Sequence, residues 1–151
     1  NLGSEQRFDY SALGDSVNLA SRLEGQSKTY GVDILLAEET YAAANQLAAV
    51  ELDLVQVVGK TEPVRIFALI GDETVKDSTG FDRLTQLQND MLGAYRERQW
   101  DNALEIIRQL RNDAAAISMT RYYDMFDERV TEFRATPPDS DWDGVERRLV
   151  K

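Results

Sequence analysis

Apolar and polar positions along the first part of the chain predict a series of short, compact elements. Residues 7–13 are rich in aromatic and apolar side chains and lead into a glycine, which indicates a strand that turns into a helix. The apolar stripe of that helix continues to about Tyr30, and Gly31 is its predicted stop. Residues 33–36 then predict a short buried strand, and the alanine-rich residues 37–47 favour a helix.

Two alternating segments follow, and they predict an antiparallel hairpin. Residues 50–58 and 64–70 both alternate in part between apolar and polar side chains, with the turn Gly-Lys-Thr-Glu-Pro at residues 59–63 between them. Residues 71–80 are polar and flanked by glycines, which is typical of a linker. We therefore expect a boundary between two regions near residue 75.

The second region has the period of helices. Residues 81–98 and 100–111 predict two amphipathic helices, residues 118–134 predict a third, and Pro137 with Pro138 ends the helical pattern. The acidic side chains of this region are expected to lie on the solvent-exposed faces of these helices.

Composition excludes several classes of function. The chain has no cysteine and no histidine, so it cannot form disulfides or thiolate metal sites and lacks the commonest general base. Its formal net charge of −10 argues against a nucleic-acid partner, because phosphate contacts need clustered Lys and Arg. No apolar stretch is long enough to cross a bilayer, and the first residues lack the regions of a signal peptide. We expect a cytoplasmic segment without membrane contact.

Asn18 and Arg22 are the first candidate functional residues. They are four positions apart on a predicted helix, which places both side chains on one face, close to the turn at Gly14. An amide beside a guanidinium can hold a sugar oxygen and a phosphate. By spacing alone, a surface asparagine and a surface arginine are the plain alternative.

The wider pattern around these two residues carries a family resemblance. The string FDYSALGDSVNLASRLEG at residues 8–25 resembles, almost residue for residue, the strand-turn-helix motif of class III adenylate and guanylate cyclases. A second string, VVGKTEPVRIFAL at residues 57–69, matches another element of that family at the expected distance. The resemblance implies an α+β fold, with the C-terminal half of a ferredoxin-like βαββαβ cyclase core over residues 1–74 and a helical tail over residues 75–151.

The resemblance also implies roles in converting ATP to cyclic AMP and pyrophosphate. Asn18 matches the asparagine that orients the ribose, and Arg22 matches the arginine that stabilises the charge developing at the α-phosphate. Lys60 matches the lysine that binds the terminal phosphates. Ser11 occupies the position that helps to select the base, although a hydroxyl that can both donate and accept does not exclude guanine.

In that family, a pair of aspartates on earlier strands holds two Mg²⁺ or Mn²⁺ ions. Those strands would precede Asn1, and Asp9 and Asp15 fit a strand position and a helix cap better than a metal site. We nominate no metal ligand and expect no cofactor in this chain by itself. Because the chain does not begin with methionine, we expect a truncated domain that is inactive alone and works as a homodimer or with a complementary cyclase half.

The helical region carries two further resemblances. The segment AYRERQWDNALEII resembles a tetratricopeptide-like hairpin, with a plain helical hairpin as the alternative because repeat arrays usually need about three units. The residues expected to pack between its helices are Ala94, Tyr95, Trp100, Ala103 and Leu104. The segment PPDSDWDGV at residues 137–145 resembles tails that follow the catalytic domain in bacterial adenylate cyclases with a membrane-bound sensor. This resemblance implies a bacterial receptor-type parent, for which an anchor in the inner membrane is an expectation. Trp142 is predicted to pack this tail against the helices.

A non-enzymatic function is the alternative to the cyclase hypothesis. The helical region could bind a partner or set a dimer geometry, in which case the chain would be a non-catalytic interaction module. An assay that complements a cyclase half lacking its own asparagine and arginine discriminates the two, because an interaction module restores no activity.

Overall fold

The structure is a computed structural model that describes residues 26–57 and 59–148. These residues form the predicted α+β fold. In chain order its elements are α1 (Gln26–Tyr30), β1 (Leu35–Ala37), α2 (Glu38–Ala43), β2 (Ala48–Val55), β3 (Val64–Gly71), α3 (Glu73–Lys76), α4 (Thr79–Arg96), α5 (Trp100–Arg111), a 3-10 helix (Ala114–Met119) and α6 (Thr120–Ala135).

The three described strands form one antiparallel sheet in the order β1-β3-β2. The predicted hairpin of β2 and β3 is therefore confirmed, and β3 is the central strand. The free edge of β2 is partly covered by the C-terminal segment, because Glu146 donates its amide to the Leu54 carbonyl at 2.8 Å and accepts from the Gln56 amide at 3.0 Å. This pairing protects an edge that would otherwise expose unpaired backbone groups.

A β-bulge in β2 decides which of its side chains are buried. Glu51 is paired with Phe67 and Asp53 with Ile66, so β2 advances by two residues where β3 advances by one. The extra residue breaks the usual alternation, and Leu52 and Asp53 are both fully buried. The bulge therefore brings a carboxylate into the core.

The polar segment expected to be a linker is folded. Asp72 caps α3 by accepting a hydrogen bond from the Val75 amide at 3.1 Å, and Ser78 caps α4 by accepting from the Phe81 amide at 3.2 Å. The segment is rich in Asp, Ser, Gly and Thr, which are common both in linkers and at helix caps. Composition alone therefore could not distinguish a linker from capped helix starts. The connection between sheet and helices is short.

One hydrophobic core extends across the predicted boundary. It combines side chains from the sheet, such as Leu52 and Ile66, with side chains from the helices, such as Leu84, Ile107 and Phe126. The division into residues 1–74 and 75–151 stays a prediction, as do the ferredoxin-like and tetratricopeptide-like assignments. The helical region is nevertheless packed directly on the sheet.

Candidate functional site

Of the four predicted site residues, only Lys60 lies in the described part of the chain. Ser11, Asn18 and Arg22 lie outside the described residues. The described part of the site is therefore the turn between β2 and β3, together with α1, the helix that follows Arg22 in the sequence.

The turn holds Lys60 by its backbone and leaves its side chain exposed. Gly59 adopts φ +88°, a left-handed conformation that favours glycine. The Lys60 amide donates to the Val57 carbonyl at 3.0 Å, and the Lys60 carbonyl accepts from the Gln56 side-chain amide at 2.7 Å. Among the described residues, no carboxylate forms an ion pair with the Lys60 ammonium.

Lys60 lines a surface groove of about 490 Å³ between the turn and α2. Glu38, Glu39 and Glu62 line the same groove. Three carboxylates beside one ammonium make this wall acidic, so a polyphosphate bound here needs further positive charge. Lys60 by itself offers one positively charged hydrogen-bond donor to a phosphate.

α1 is anchored at its last residue by a buried polar network. The Tyr30 hydroxyl donates to Oδ2 of Asp53 at 2.6 Å, and Nη1 of Arg129 on α6 donates to the same oxygen at 2.6 Å. The other oxygen of Asp53 accepts from the Leu54 amide at 2.8 Å. One carboxylate on the sheet therefore joins α1 to α6.

The environment of this network shifts the ionisation of its members. Burial raises the pKa of the Tyr30 hydroxyl far above its usual range, and the nearby Asp53 carboxylate raises it further, so the phenol is a hydrogen-bond donor at neutral pH. Glu146 lies 3.6 Å from Nε of Arg129. Burial opposes the ionised form of Glu146, but hydrogen bonds from Arg148 and the charges of Arg129 and Arg148 lower its pKa below the usual value.

The end of α1 also lies against the backbone of α6. The amides of Gly31 and Val32 donate to the carbonyls of Lys28 and Ser27 at 3.1 and 3.0 Å, the pattern of a Schellman C-cap. Gly31 has φ +70°, and a Cβ at this position would lie 2.6 Å from Cβ of Arg121. The predicted helix stop at Gly31 is confirmed, and only glycine fits this close approach.

Aromatic packing holds the C-terminal segment, as the sequence predicts for Trp142. Its ring centroid lies 5.3 Å from that of Tyr95, 5.7 Å from Trp100 and 5.6 Å from Phe133. The guanidinium of Arg98 lies 5.4 Å from the Trp142 ring. The five residues expected to pack between the helices do so: Ala94, Tyr95 and Ala103 are buried, and Trp100 and Leu104 are half-buried against the core.

The carboxylates of the described residues do not fit a metal site. No group of three or more Asp and Glu side chains in residues 26–57 and 59–148 is arranged to hold an ion. Across that same portion of the chain, no helix combines the length and apolar character needed to cross a bilayer.

Three curated proteins are similar to this chain. Adenylate cyclase 1 of Rhizobium meliloti (strain 1021) is 32% identical over 72 residues, which cover 47% of this chain and 11% of that protein. The terminal-differentiation specific adenylate cyclase of Dictyostelium discoideum is 35% identical over 108 residues, 68% of this chain and 5% of that protein. The adenylate cyclase of Anabaena cylindrica is 37% identical over 70 residues, 44% of this chain and 14% of that protein.

The chain is related to the adenylate cyclases. It spans between 5% and 14% of the length of these three relatives. No family model matches the chain, and no solved structure matches it. The sequence similarity is therefore what connects this chain to the adenylate cyclases.

The similarity to an adenylate cyclase also reaches beyond the hairpin. A match over 68% of 151 residues covers about 103 of them, more than either predicted region contains, so it includes sequence on both sides of residue 75. The helices that pack on the sheet are thus partly included in a similarity to an adenylate cyclase.

Sequence reasoning missed the buried network. The local pattern does not mark Asp53 or Glu146 as buried, because Asp53 alternates with Glu51 in a strand-like segment and Glu146 stands among other charged residues. In the sequence pattern, Tyr30 is only the last apolar residue of a predicted helix. One signal was available: arginine inside the aromatic-rich segment RYYDMFDERVTEF of α6 is a candidate for burial beside rings.

Proposed function

We propose that this chain is the C-terminal part of a class III adenylate cyclase catalytic domain, followed by a helical region. The observation that carries the proposal is the similarity to three proteins that are all named adenylate cyclase. The reaction is attack of the ribose 3′-oxygen of ATP on the α-phosphorus. A 3′ O–P bond forms, the bond to pyrophosphate breaks, and the 3′-hydroxyl loses its proton.

The predicted residues divide this work between them. Asn18 orients the ribose, and Arg22 stabilises the negative charge that develops on the α-phosphate. Ser11 contacts the base edge. Such a reaction depends mainly on positioning and on charge neutralisation, so an amide and a guanidinium four positions apart in a predicted helix suit it.

Lys60 binds the terminal phosphates in this proposal. Its exposed side chain on a backbone-fixed turn supports the role, because the ammonium has no competing ion pair among the described residues. The adjacent Glu38, Glu39 and Glu62 oppose it. Arg22 and a second chain would have to supply the balancing positive charge, so we propose a homodimer or a complementary cyclase half as partner.

Mg²⁺ or Mn²⁺ belongs to the intact enzyme in this proposal. The described residues do not fit a metal ion, so no step is assigned to a metal ligand of this chain. We propose that the chain alone does not form cyclic AMP. A cytoplasmic location, a bacterial receptor-type parent and a tetratricopeptide-like tail are further parts of the proposal.

A complementation assay tests the proposal. The 151-residue chain is mixed with a class III cyclase chain that has its metal aspartates but alanine in place of its own asparagine and arginine, and cyclic AMP formation from ATP is measured with manganese. We expect the mixture to be active and each chain alone to be inactive. Asn18→Ala and Arg22→Ala should abolish the restored activity, whereas Arg108→Ala, on an exposed helix face, should not.

Two outcomes contradict the proposal. Cyclic AMP formation by the chain alone would show that its activity does not depend on metal ligands outside this chain. A stable mixed complex without activity would support the alternative, a non-catalytic interaction or dimerisation module.

A further inference from the structure

We propose that the surface under the C-terminal segment is a peptide-binding surface, which residues 137–146 of the same chain occupy. The surface consists of the Arg98 side chain, the rings packed around Trp142 and the edge of β2. Its partner in trans is an extended, acidic protein segment that carries a tryptophan and, four positions later, a glutamate. The inference goes beyond the cyclase proposal and does not depend on it.

Arg98 stands at a position that usually belongs to glycine. Its amide donates to the Tyr95 carbonyl at 3.1 Å, and the next amide, that of Gln99, donates to the Ala94 carbonyl at 2.8 Å. This is a Schellman motif at the end of α4, with Arg98 as its left-handed residue. Among the described residues, Arg98 is the only one other than glycine with a positive φ, +62°. An unfavourable backbone conformation of this kind points to a role for the side chain.

The Arg98 side chain holds the backbone of the segment. Nη1 donates to the Pro138 carbonyl at 3.0 Å, and Nη2 donates to the carbonyl of the next residue, Asp139. The guanidinium also lies 5.4 Å from the centroid of the Trp142 ring. Contacts to two successive carbonyls recognise an extended backbone whatever its side chains are, and the contact with the ring adds a requirement for an aromatic residue.

An aromatic pocket receives the Trp142 ring. The Tyr95 and Phe133 rings meet it edge-on, with centroids 5.3 and 5.6 Å away, and the Trp100 ring lies 5.7 Å away. These three rings belong to α4, α6 and α5, so each of the long helices contributes to the pocket. A tryptophan anchored among rings and beside an arginine is the kind of residue that dominates the affinity of protein–protein contacts.

The segment continues as an addition to the edge of β2. Glu146 forms a parallel bridge with Val55. Its amide donates to the Leu54 carbonyl at 2.8 Å, and its carbonyl accepts from the Gln56 amide at 3.0 Å. The Glu146 carboxylate lies 3.6 Å from Nε of Arg129. Pairing with a sheet edge is a common way to bind an extended peptide, with main-chain hydrogen bonds for affinity and side-chain contacts for specificity.

The charges of the surface and the segment are complementary. Residues 137–146 contain four acidic residues and no lysine or arginine. The surface presents Arg98 and Arg129 to them, and Gly144 passes so close to a third arginine that an added Cβ would lie 3.0 Å from Cγ of Arg96. An arginine-lined surface favours an acidic partner over a neutral or basic one.

A partner segment can compete for this surface. After α6 ends at Ala135, the described part of the chain contains no further helix or strand, so release of residues 137–146 unfolds no regular element. A second copy of this chain is a poorer source of the segment, because its own segment is already held and two chains with a net charge of −10 repel each other. A partner protein with a free acidic segment has neither cost.

The test measures how a fluorescein-labelled peptide with the sequence of residues 136–148 binds to the 151-residue chain, by fluorescence anisotropy. Trp142→Ala in the chain weakens the hold on its own segment and leaves the surface unaltered. We expect this variant to bind the peptide at least about tenfold more tightly than the unaltered chain, in which the tethered segment competes at an effective concentration of about 1 mM. A peptide with alanine in place of its tryptophan should bind at least about tenfold more weakly.

A second substitution tests Arg98. Arg98→Gly, added to the Trp142→Ala chain, removes the guanidinium and places the usual residue at the end of α4, so the helices should fold as before. We expect it to weaken binding of the peptide about tenfold. Arg108→Ala, at an exposed position of α5, is the matched control and should leave binding unchanged. Equal affinities of these two versions would overturn the part assigned to Arg98.

Other outcomes would overturn the inference as a whole. Equal binding of the tryptophan and alanine peptides would show that the aromatic pocket selects nothing. If unaltered chains form dimers in sedimentation experiments by exchanging their segments, the occupant is a second copy and the assignment to a partner fails. If Trp142→Ala does not fold, hydrogen exchange of the unaltered chain decides. An isotope-labelled peptide at several millimolar should speed exchange in residues 137–146 of the chain, and unchanged exchange would overturn the proposal.

Discussion

The guanidinium of Arg129 donates a hydrogen bond to the carboxylate of Asp53 at 2.6 Å, although 76 positions separate the two residues in the chain. Their side chains are 5% and 0% exposed. A buried pair of this kind is costly to form and more costly to break, because removal of one partner leaves the other charge without compensation. The pair therefore fixes the position of α6 on the sheet.

The first prediction concerns this pair. Arg129→Met should lower the free energy of unfolding by about 3–5 kcal/mol, since it leaves the Asp53 carboxylate buried and unpaired. The control is Arg134→Met, which removes the ion pair between Arg134 and Asp101, whose side chains are 51% and 86% exposed. An exposed pair contributes about 0–1 kcal/mol. Urea denaturation measures both variants, and equal losses would contradict the buried role of Arg129.

The second prediction compares two glycines. Gly31→Ala should destabilise the fold by more than about 1 kcal/mol, because φ is +70° and the new methyl group would meet the backbone of α6. Gly93→Ala, within α4, should instead stabilise it by about 0.5–1 kcal/mol, since nothing lies within 4 Å of the added Cβ. Thermal unfolding of both variants checks the prediction, which is wrong if Gly31→Ala is neutral.

The third prediction concerns a buried amide. Gln88 donates to the Glu51 carbonyl at 2.8 Å and to the Tyr122 hydroxyl at 2.9 Å, and it accepts from the Tyr123 hydroxyl at 2.7 Å. Gln88→Met should cost about 1–3 kcal/mol, because the Tyr123 hydroxyl loses its acceptor. Adding Tyr123→Phe removes the hydroxyl that has lost its acceptor. The double variant should therefore lose less unfolding free energy than the two single variants lose together. Strict additivity in urea denaturation would argue against this network.

The fourth prediction is acid release of the C-terminal segment. A hydrogen bond from Arg147 lowers the pKa of Asp143 to about 2, and for Glu146 the arginine contacts outweigh the opposing effect of burial and lower the pKa below its usual value. Carboxylates with lowered pKa values stabilise the fold above their unfolded values, and this contribution disappears as the pH falls through the folded values. We therefore expect the segment to loosen as the pH falls from about 5 toward 2.

Tryptophan fluorescence reports that release, because the only two tryptophans, Trp100 and Trp142, lie against each other at 5.7 Å. Their emission should change at a higher pH than the helical circular dichroism signal does. Glu146→Gln is the matched control, and it should remove the part of the acid dependence that Glu146 supplies. A single transition shared by both signals in both proteins would contradict separate release of the segment.

The fifth prediction concerns Lys60. Lys60→Ala should leave the free energy of unfolding within about 0.5 kcal/mol of the original, because the side chain is exposed and the turn is held by backbone contacts. In the complementation assay it should raise KM for ATP, since terminal phosphates bind before and during reaction alike. Glu62→Gln should have the opposite effect on KM, because it makes the groove less acidic. An unchanged KM in both variants would remove Lys60 from the proposed site.

Much of the local structure could be predicted from sequence. The β2–β3 hairpin and the stop at Gly31 are confirmed, and α5 has the predicted bounds, Trp100–Arg111. The third predicted helix is in fact a 3-10 helix followed by α6, which starts at Thr120 rather than Ser118. Helix ends are decided by caps and packing, so periodicity places them only approximately.

For the candidate site, sequence identified residues but not their surroundings. Lys60 lies on an exposed turn, as the motif indicates. Glu62 belongs to the same turn, whereas Glu38 and Glu39, which share the groove, come from the separate segment α2 and were not anticipated. Ser11, Asn18 and Arg22 stay predictions. Proximity between residues far apart in the chain depends on how elements pack, and no single local pattern contains that information.

The class of elements, their order and the resemblance to cyclases can be read from the sequence, because apolar periodicity, glycine turns and motif spacing are local properties. That a bulge buries Asp53 and that Arg129 of α6 reaches it depends on how the strands and helices pack. A buried charge is stable only with a matching partner beside it. Whether a charged residue is solvated or buried is therefore settled by distant contacts that the chain forms once it folds.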